Sequence, residues 1–552
     1  MLPRRRQPPG NAGGLGPPGG SQAAPEPEAA RGTAGRLRLA DVAAALVPTA
    51  LAAGFVIYSL GSRSLWIDEA TTFATASQHG ATLWHWVLND GGNMFAYYAG
   101  MHVVVALFGS SPVTLRLPSA LAFVGTVPFA FALTRRLFDL RAATISAFLV
   151  AASLPIIYWA QMARAYTFGV MLVTASTYAL VCAVQTRKRW AYVLFVACSV
   201  LAIYMILLSV LVVAAQCCSL ALRRRRDIPL QALAICVGSI ALLSLPMGIA
   251  AFIHGSAQLG WIAPPALSFE KYVLKFVASA ETAGVSLTST AHLVFIAMLA
   301  AWAAAALQFT YSLVRSGRSE RTWALGLLGA CFVVPIAALL VVSELFQPVF
   351  SDRYALLTVP FASILAGVAL SRIRPAPLAW AAGIALVVLR ALQIPASYGV
   401  EIETWNTAAA YVVSSAQPRD CIAFFVSDGF PAFDYYVLAA TGPHPRLPQL
   451  VLPATTWSAK TPYVLDPAVI PARSLPAVVA SCPRLWLVLT HQGGDPPGAP
   501  GALPYQVRKY EAYLVLSAEV NRAYRLASYT RFTSVDGALY DRREPPVSAR
   551  LP

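Results

Sequence analysis

The sequence predicts an α-helical polytopic membrane protein with a smaller external α/β domain at its C-terminal end. Three observations support this fold class. The 552 residues are 57% hydrophobic and only 12% charged, which is far more apolar than a soluble domain needs to fill its core. Basic residues form short clusters between long apolar runs. After Tyr398 the composition changes, and Pro, Gly and charged residues return.

The first segment, residues 1–36, is rich in Gly, Pro, Ala and Arg and has almost no large apolar side chain. Such a segment cannot bury enough surface to offset the entropy of ordering it. We predict a disordered cytoplasmic tail. A cleavable signal peptide fits poorly, because the first apolar run begins near residue 39 and is long enough to span a bilayer.

The first two long apolar runs define a large external loop. The run 39–60 has about the helical length of one bilayer, and the arginines before it hold the N-terminus in the cytoplasm. The run 117–133 ends at Arg135 and Arg136, which the positive-inside rule places in the cytoplasm. Residues 61–116 are therefore predicted to lie outside.

The apolar run 94–108 within this loop is shorter than a span, and counting it as a crossing would invert the charge pattern, so we predict an interfacial helix. The alternation of apolar runs with basic cytoplasmic loops predicts about eleven spans in a membrane domain of residues 37–398, with the C-terminus outside. The further spans are expected near 142–160, 167–186, twice within 190–222, then 228–252, 291–314, 322–342, 354–371 and 376–395.

Residues 399–552 are predicted to form the external α/β domain, because their apolar runs have strand length and Pro-rich loops separate them. Cys421 and Cys482 are its two cysteines, and oxidation is permitted outside the cytoplasm. We predict a disulfide between them. Aromatic side chains of this domain could stack on sugar rings or belong to its core; they are Trp405, Tyr435, Tyr436, Trp457 and Trp486.

Two adjacent carboxylates, Asp68 and Glu69, follow the first predicted span within about two helical turns. An acid in the first turn of a following helix is the simpler interpretation of such residues. Their position between Trp66 and an aromatic-rich segment favours chemistry instead, since a carboxylate can accept the proton of a hydroxyl nucleophile.

Three arginines, Arg116, Arg164 and Arg353, lie at predicted outer edges of the membrane, against the prevailing charge bias. Snorkelling to lipid phosphate is the simpler interpretation for Arg164, and Asp352 could merely neutralise Arg353. Guanidinium groups also bind phosphate oxygens bidentately. Together with the acidic pair, the arginines suit a lipid-linked phosphosugar.

Several short segments resemble the successive landmarks of glycosyltransferases with the C-type membrane fold. The likeness covers roughly residues 40–375 and is strongest to the protein O-mannosyltransferase and lipid A aminoarabinose transferase group, glycosyltransferase family 39. The segments are Trp66-Ile67-Asp68-Glu69-Ala70, Tyr97-Tyr98 with Leu107-Phe108-Gly109, Leu115-Arg116-Leu117-Pro118-Ser119-Ala120-Leu121, Gln161-Met162-Ala163-Arg164-Ala165-Tyr166 and Asp352-Arg353-Tyr354-Ala355-Leu356-Leu357.

The resemblance implies an enzyme that transfers a sugar from a polyprenyl-phosphate donor to a hydroxyl acceptor with inversion at the anomeric centre. It implies that Asp68 is the general base, supported by Glu69, and that the three arginines are candidates for holding the donor phosphate. Further candidates for substrate contact are Trp66, Tyr97, Gln161, Tyr166, Asp352 and Tyr354.

This chain departs from the family pattern before the paired aromatics. Many relatives have His-Pro-Pro-Leu or Lys-Pro-Pro-Leu there, whereas this chain has Asp90-Gly91-Gly92-Asn93. A basic contact to donor or acceptor is missing at this place. The departure puts the identities of sugar and acceptor in question, and leaves the fold expectation unchanged.

No cofactor or metal is predicted. His79, His85, His254 and Glu344 could ligate a divalent ion, but their spacing matches no standard site. The expected partners are a polyprenyl-phosphate sugar, the bilayer and a hydroxyl acceptor on a protein, glycolipid or cell-wall glycan. Nucleic acid is not expected, because the basic clusters match cytoplasmic loops. The expected location is the plasma membrane, and the abundance of Arg and Ala hints at a bacterium.

Two other classes of function compete with this hypothesis. A glycolipid transporter or flippase would place charged residues near the middle of spans, and the predicted spans are nearly free of them. A membrane-anchored carbohydrate-binding protein would leave the acidic pair and the external arginines unexplained.

Overall fold

The computed structural model describes residues 39–89, 92–258, 262, 264–282, 285, 287–425, 429–439, 447–452, 481–490 and 504–543. The predicted disordered tail, Asp90, Gly91 and Trp457 lie outside these residues, and so does the side chain of His254.

Helices dominate the chain up to Tyr398. The membrane part contains α1 (Leu39–Ile57), α2 (Ile67–Ala76), α3 (Gly80–Asn89), α4 (Phe95–Phe108), α5 (Pro112–Leu137), α6 (Leu140–Ala151), α7 (Leu154–Ala160), α8 (Tyr166–Thr186), α9 (Arg189–Met205), α10 (Ser209–Ser219), α11 (Leu230–Gln258), α12 (Leu267–Val277), α13 (Thr288–Ser316), α14 (Glu320–Leu345), α15 (Asp352–Ala355), α16 (Val359–Leu370), α17 (Ala376–Ala391) and α18 (Ile394–Tyr398). Short 3-10 helices lie at Leu220–Leu222, Arg225–Asp227 and Leu356–Thr358.

A multi-pass membrane protein is confirmed, because seven helices of the described residues are long and apolar enough to cross a bilayer. These helices are Pro112–Leu137, Tyr166–Thr186, Leu230–Ile253, Thr288–Ser316, Glu320–Leu345, Asp352–Leu370 and Ala376–Tyr398. The pair α6 and α7 makes an eighth if it counts as one span. The total of eleven stays a prediction, because it also requires the shorter helices α1, α9 and α10 to cross.

Helix α4 is also apolar, and it is shorter than the seven spans. Three of its large apolar side chains, Val103, Leu107 and Phe108, are exposed. Exposed apolar surface on a short helix suits contact with lipid. Its position in the outer interface stays a prediction.

A bend of 51° separates α6 from α7. Pro155 lies in the first turn of α7, where its missing N–H interrupts the backbone ladder that would otherwise continue α6. The fully buried Arg390 of α17 donates to the carbonyl oxygens of Leu149 (2.7 Å) and Ala278 (3.0 Å). Since the last carbonyls of a helix have no partner within it, Arg390 stabilises the ends of α6 and α12 together.

The C-terminal part is an α/β domain with helices α19 (Trp405–Ser415), α20 (Phe430–Ala439) and α21 (Pro504–Ala523). Its five strands have the order β2-β1-β3-β5-β4, in which β1 pairs in parallel with β2 and β3, and β5 pairs antiparallel with β3 and β4. The strands are β1 (Cys421–Phe425), β2 (Gln449–Leu452), β3 (Arg484–Thr490), β4 (Tyr524–Arg531) and β5 (Val535–Arg542).

The central strands β1 and β3 are buried on both faces, which explains their continuous apolar sequences. Leu487 and its alternate neighbours face α21, whereas Trp486 and Val488 pack with α19 and α20. Ile67 and Ala70 of α2 belong to this second cluster. The sheet domain is therefore in apolar contact with the helix that carries the acidic pair.

Cys421 and Cys482 form a disulfide with a Cα–Cα distance of 5.8 Å across 61 residues. Replacing both with Ser should lower the free energy of unfolding of the sheet domain by up to about 4 kcal/mol, because the unfolded loop regains its entropy. Thermal unfolding in detergent, with and without reductant, measures the effect. Cys218→Ser, at an exposed unpaired cysteine, is the control. Equal melting of the double variant and the wild type would contradict the prediction.

Candidate active site

Helix α2 begins three residues after Ser64 and presents Asp68 and Glu69 in its first turn. The two side chains have different environments. The Asp68 side chain is 27% exposed, whereas the Glu69 side chain is 1% exposed. Successive helix residues point about 100° apart, so one acid can face a cleft while its neighbour faces the interior. Only Asp68 of this pair is accessible to a substrate.

Glu69 forms a buried, bidentate ion pair with Arg116 of α5. Arg116 Nε donates to Glu69 Oε1 and Nη2 donates to Oε2, both at 2.8 Å. The remaining N–H groups of Arg116 reach carbonyl oxygens at 3.0 to 3.1 Å. All five donors of this guanidinium are thus used by the protein. The carbonyls belong to Leu60, Arg63 and Ser64.

Asp68 lies between two other arginines. Arg353 Nη1 donates to Asp68 Oδ2 at 3.1 Å, and Arg164 Nη2 lies 3.8 Å from the same oxygen. Arg164 Nη1 also donates to the Asp68 carbonyl oxygen at 3.3 Å and to the Tyr98 hydroxyl at 3.4 Å. The side chains of Arg164 and Arg353 are 12% and 21% exposed. One carboxylate and two guanidinium groups therefore meet at a partly open position.

Aromatic rings surround the guanidinium groups. The Arg353 guanidinium lies 5.2 Å from the ring centroid of Trp66 and 5.5 Å from that of Trp159. Arg164 lies 5.9 Å from the Tyr166 ring centroid, and Tyr166 meets Trp159 edge-on. Cations at such distances are attracted by the ring faces. The rings hold the arginines in place and limit their access to water.

A cavity of about 630 Å³ adjoins this position, with Arg353 in its wall. Most of the lining is aromatic or aliphatic, and three further polar side chains reach it: Ser351, Asp352 and Glu401. Asp352 Oδ2 accepts a hydrogen bond from Tyr272 of α12 at 3.1 Å. The aromatic lining consists of Trp66, Tyr158, Trp159, Phe269 and Phe350.

The model of the dolichyl-phosphate-mannose-protein mannosyltransferase family matches residues 93–249. Among solved structures, ArnT from Cupriavidus metallidurans in the apo state aligns with 90% of this chain and 97% of its own, at 14% identity and a TM-score of 0.57. This chain has the C-type glycosyltransferase fold. The resemblance that the sequence predicts is confirmed, and the predicted class of enzyme, a membrane glycosyltransferase, agrees with both matches.

Two further structures share the C-type fold with this chain. ArnT from Cupriavidus metallidurans bound to undecaprenyl phosphate aligns with 90% of this chain and 97% of its own, at 14% identity and a TM-score of 0.52. The archaeal oligosaccharyltransferase AglB from Archaeoglobus fulgidus, in complex with an inhibitory peptide and a dolichol-phosphate, aligns with 92% of this chain and 75% of its own, at 14% identity and a TM-score of 0.50. No curated protein sequence gives a significant match.

Within this C-type fold, Gln161 makes structural hydrogen bonds rather than contacts at the partly open position of Asp68, Arg164 and Arg353. Its Nε2 donates to the carbonyl oxygens of Val56 (3.1 Å) and Tyr58 (2.8 Å), and its Oε1 accepts from Arg63 Nη2 at 3.4 Å. These bonds hold the end of α1 against the turn between α7 and α8. Tyr97 is buried at 2% exposure, and its neighbour Tyr98 makes the contact with Arg164.

Three charged residues near the site were not among the sequence candidates: Arg63, Glu401 and Glu403. Burial, reinforced by the nearby Arg116, lowers the pKa of Arg63. Burial raises the pKa of Glu401, although the Ser64 N–H opposes this effect. Arg63 could have been found as a further arginine beyond the first span. Neither glutamate carries a local signal for its place near the site, because the site residues that they contact, Ser64 and Ile67, lie more than 300 residues earlier.

Within the described part of the chain, no three or more His, Cys, Asp or Glu side chains are grouped closely enough to hold a metal ion. The charged groups at this partly open position are one carboxylate and two arginines. Such a set is suited to binding an anion and accepting a proton rather than to binding a metal cation.

Proposed function

We propose that the protein is an inverting glycosyltransferase that moves a sugar from a polyprenyl-phosphate donor to a hydroxyl acceptor on the outer face of the plasma membrane. The observation that carries this proposal is the partly exposed Asp68 carboxylate between Arg164 and Arg353, beside an aromatic cavity. The named lipids of the structures with the same fold, undecaprenyl phosphate and dolichol-phosphate, support a lipid-phosphate donor.

In the proposed reaction, an acceptor hydroxyl attacks the anomeric carbon of the donor sugar. Asp68 takes the hydroxyl proton as the new C–O bond forms, and the bond from the anomeric carbon to the phosphate oxygen breaks. Arg353 and Arg164 stabilise the negative charge of the departing polyprenyl phosphate. Glu69 and Arg116 take no part in these steps, because their buried charges pair with each other and the remaining N–H groups of Arg116 are bonded to backbone carbonyls.

The distribution of basic residues supports the outer face. Arg116 lies in the N-terminal half of α5, near the site, and Arg135 and Arg136 lie in its last turn. Similarly, α8 begins at Tyr166 beside the site, and Arg187 directly follows its last residue, Thr186. The basic clusters thus lie at the helix ends opposite Asp68, and such clusters mark the cytoplasmic side.

The decisive experiment incubates the purified protein with a panel of polyprenyl-phosphate sugars and candidate acceptors, and measures release of polyprenyl phosphate. A glycosyltransferase releases it and forms a glycosylated acceptor. A flippase moves the intact lipid between leaflets without releasing polyprenyl phosphate, so translocation without release would reject the proposal. The acceptor, whether protein, glycolipid or glycan, is identified by the product.

Arg353→Gln should lower kcat/KM for the donor by about 10²-fold or more, because it removes a cationic donor from the leaving phosphate. Arg353→Lys should recover only part of the loss, since an ammonium cannot form the planar contact with Trp66 and Trp159. Steady-state kinetics at varied donor concentration measures both. The matched control is Arg531→Gln, an exposed arginine of the sheet domain that also lies beside an aromatic ring. Wild-type donor kinetics for Arg353→Gln would contradict the assignment.

A further inference from the structure

The loop between α1 and α2 and the first residue of α2 donate backbone amides to side chains of the C-terminal part. Ser64 N–H donates to Glu401 Oε2 at 3.1 Å, and Leu65 N–H donates to the Tyr436 hydroxyl at 2.6 Å. Ile67 N–H donates to Glu403 Oε2 at 2.9 Å. Three amides within four residues are thus satisfied by groups far away in the sequence.

Glu403 acts on the first turn of α2. The residue before this helix, Trp66, provides no side-chain cap, and the first amides of any helix lack partners within it. Glu403 is fully buried and accepts from both Ile67 N–H and Trp405 Nε1, the latter at 2.7 Å. A carboxylate at a helix N-terminus is stabilised by the helix dipole, and a buried carboxylate needs such partners.

The sheet domain holds the external loop at a second place. Tyr435 of α20 donates its hydroxyl to the Ser110 carbonyl oxygen at 2.8 Å, just before α5 begins. Ile67 and Ala70 of α2 pack against the cluster that includes Trp405. The Glu403 hydrogen bond and this apolar packing therefore both act on α2, and the Tyr435 bond fixes the segment before α5.

We infer that the C-terminal part positions the catalytic carboxylate. Glu403, which is far from α2 in the sequence, caps the N-terminus of this helix, and the helix carries Asp68. This inference rests on the proposed function and gives the C-terminal part a role in it. Asp68 is the second residue of α2, so loosening of the first turn moves its carboxylate relative to Arg353 and Arg164. A displacement of about 1 Å between reacting groups costs up to about 10²-fold in rate. Glu403 is thus a positioning residue, because it acts through α2.

The test compares Glu403→Ala with Glu403→Gln, which keeps one acceptor oxygen for Ile67. We expect Glu403→Ala to lower kcat about tenfold or more, with a smaller change in donor KM because the arginines are retained. Glu403→Gln should recover much of the rate. Hydrogen exchange of the α2 amides should accelerate in the Ala variant. Glu511→Ala, at an exposed acid of α21, should match the wild type in all three readouts.

Should Glu403→Ala fail to fold, Tyr436→Phe decides, since it removes only the hydroxyl, whose oxygen accepts from Leu65 N–H and from the Ser64 hydroxyl. A severalfold lower kcat at unchanged melting temperature supports the inference. Wild-type kcat and exchange in the folded variants overturn it. If Asp68→Asn still transfers sugar, the proposed catalytic role fails first. If Asp68→Asn is inactive while the Glu403 variants keep the wild-type kcat, only the positioning inference fails.

Discussion

Asp68→Asn is expected to lower the rate of polyprenyl-phosphate release by about 10²–10⁴-fold, the usual contribution of a general base. Asn has nearly the same shape as Asp and cannot accept the hydroxyl proton. The variant should still fold and insert, because Asn keeps an oxygen that can accept from Arg353 Nη1 and the three side chains are not fully buried. Single-turnover transfer with saturating donor measures the chemical step directly.

The control for this experiment is Glu344→Gln, which changes an exposed acid in the last turn of α14 by the same chemistry. It should keep wild-type activity. Full activity in Asp68→Asn would refute the base assignment. A lost activity accompanied by a lower melting temperature would instead indicate that Asp68 is structural.

Arg116→Ala is expected to lower the free energy of unfolding by about 3–5 kcal/mol, because it leaves Glu69 as a buried, unpaired charge. It also removes the donors to three buried carbonyl oxygens. Thermal unfolding and the yield of folded protein in detergent measure the effect. We therefore expect loss of the folded protein rather than a selective loss of donor binding.

The matched control is Arg135→Ala, on the same helix. Arg135 also pairs with a carboxylate, that of Asp41, at 2.9 Å, but its side chain is 41% exposed. Exposed pairs are worth about 1 kcal/mol or less, so this variant should melt close to the wild type. If Arg116→Ala melts normally and raises the donor KM, the result supports the role in phosphate binding that the sequence predicts for Arg116.

Asp68 and Glu69 show what the local sequence can predict about the site and what it cannot. Sequence reasoning singled out Asp68 and Glu69 together as a pair beside the membrane, and assigned Glu69 a supporting role. In the structure, one residue of helical rotation separates a partly exposed carboxylate from a buried one. Which of the two faces the interior depends on where α5 places Arg116, and no local pattern contains that information.

The sequence by itself determined the features that depend on length and composition: a multi-pass membrane protein, the resemblance to the C-type fold, and the segments that carry Asp68, Arg164 and Arg353. These follow because a bilayer imposes long apolar runs and because short motifs keep their order along the chain. Only the tertiary structure decided what each charged group contacts. Arg116, Arg390 and Glu403 bond to Glu69, Leu149 and Ile67, which lie 47, 241 and 336 residues away. Buried charges are stabilised by the groups that packing brings beside them, and packing is a property of the whole fold.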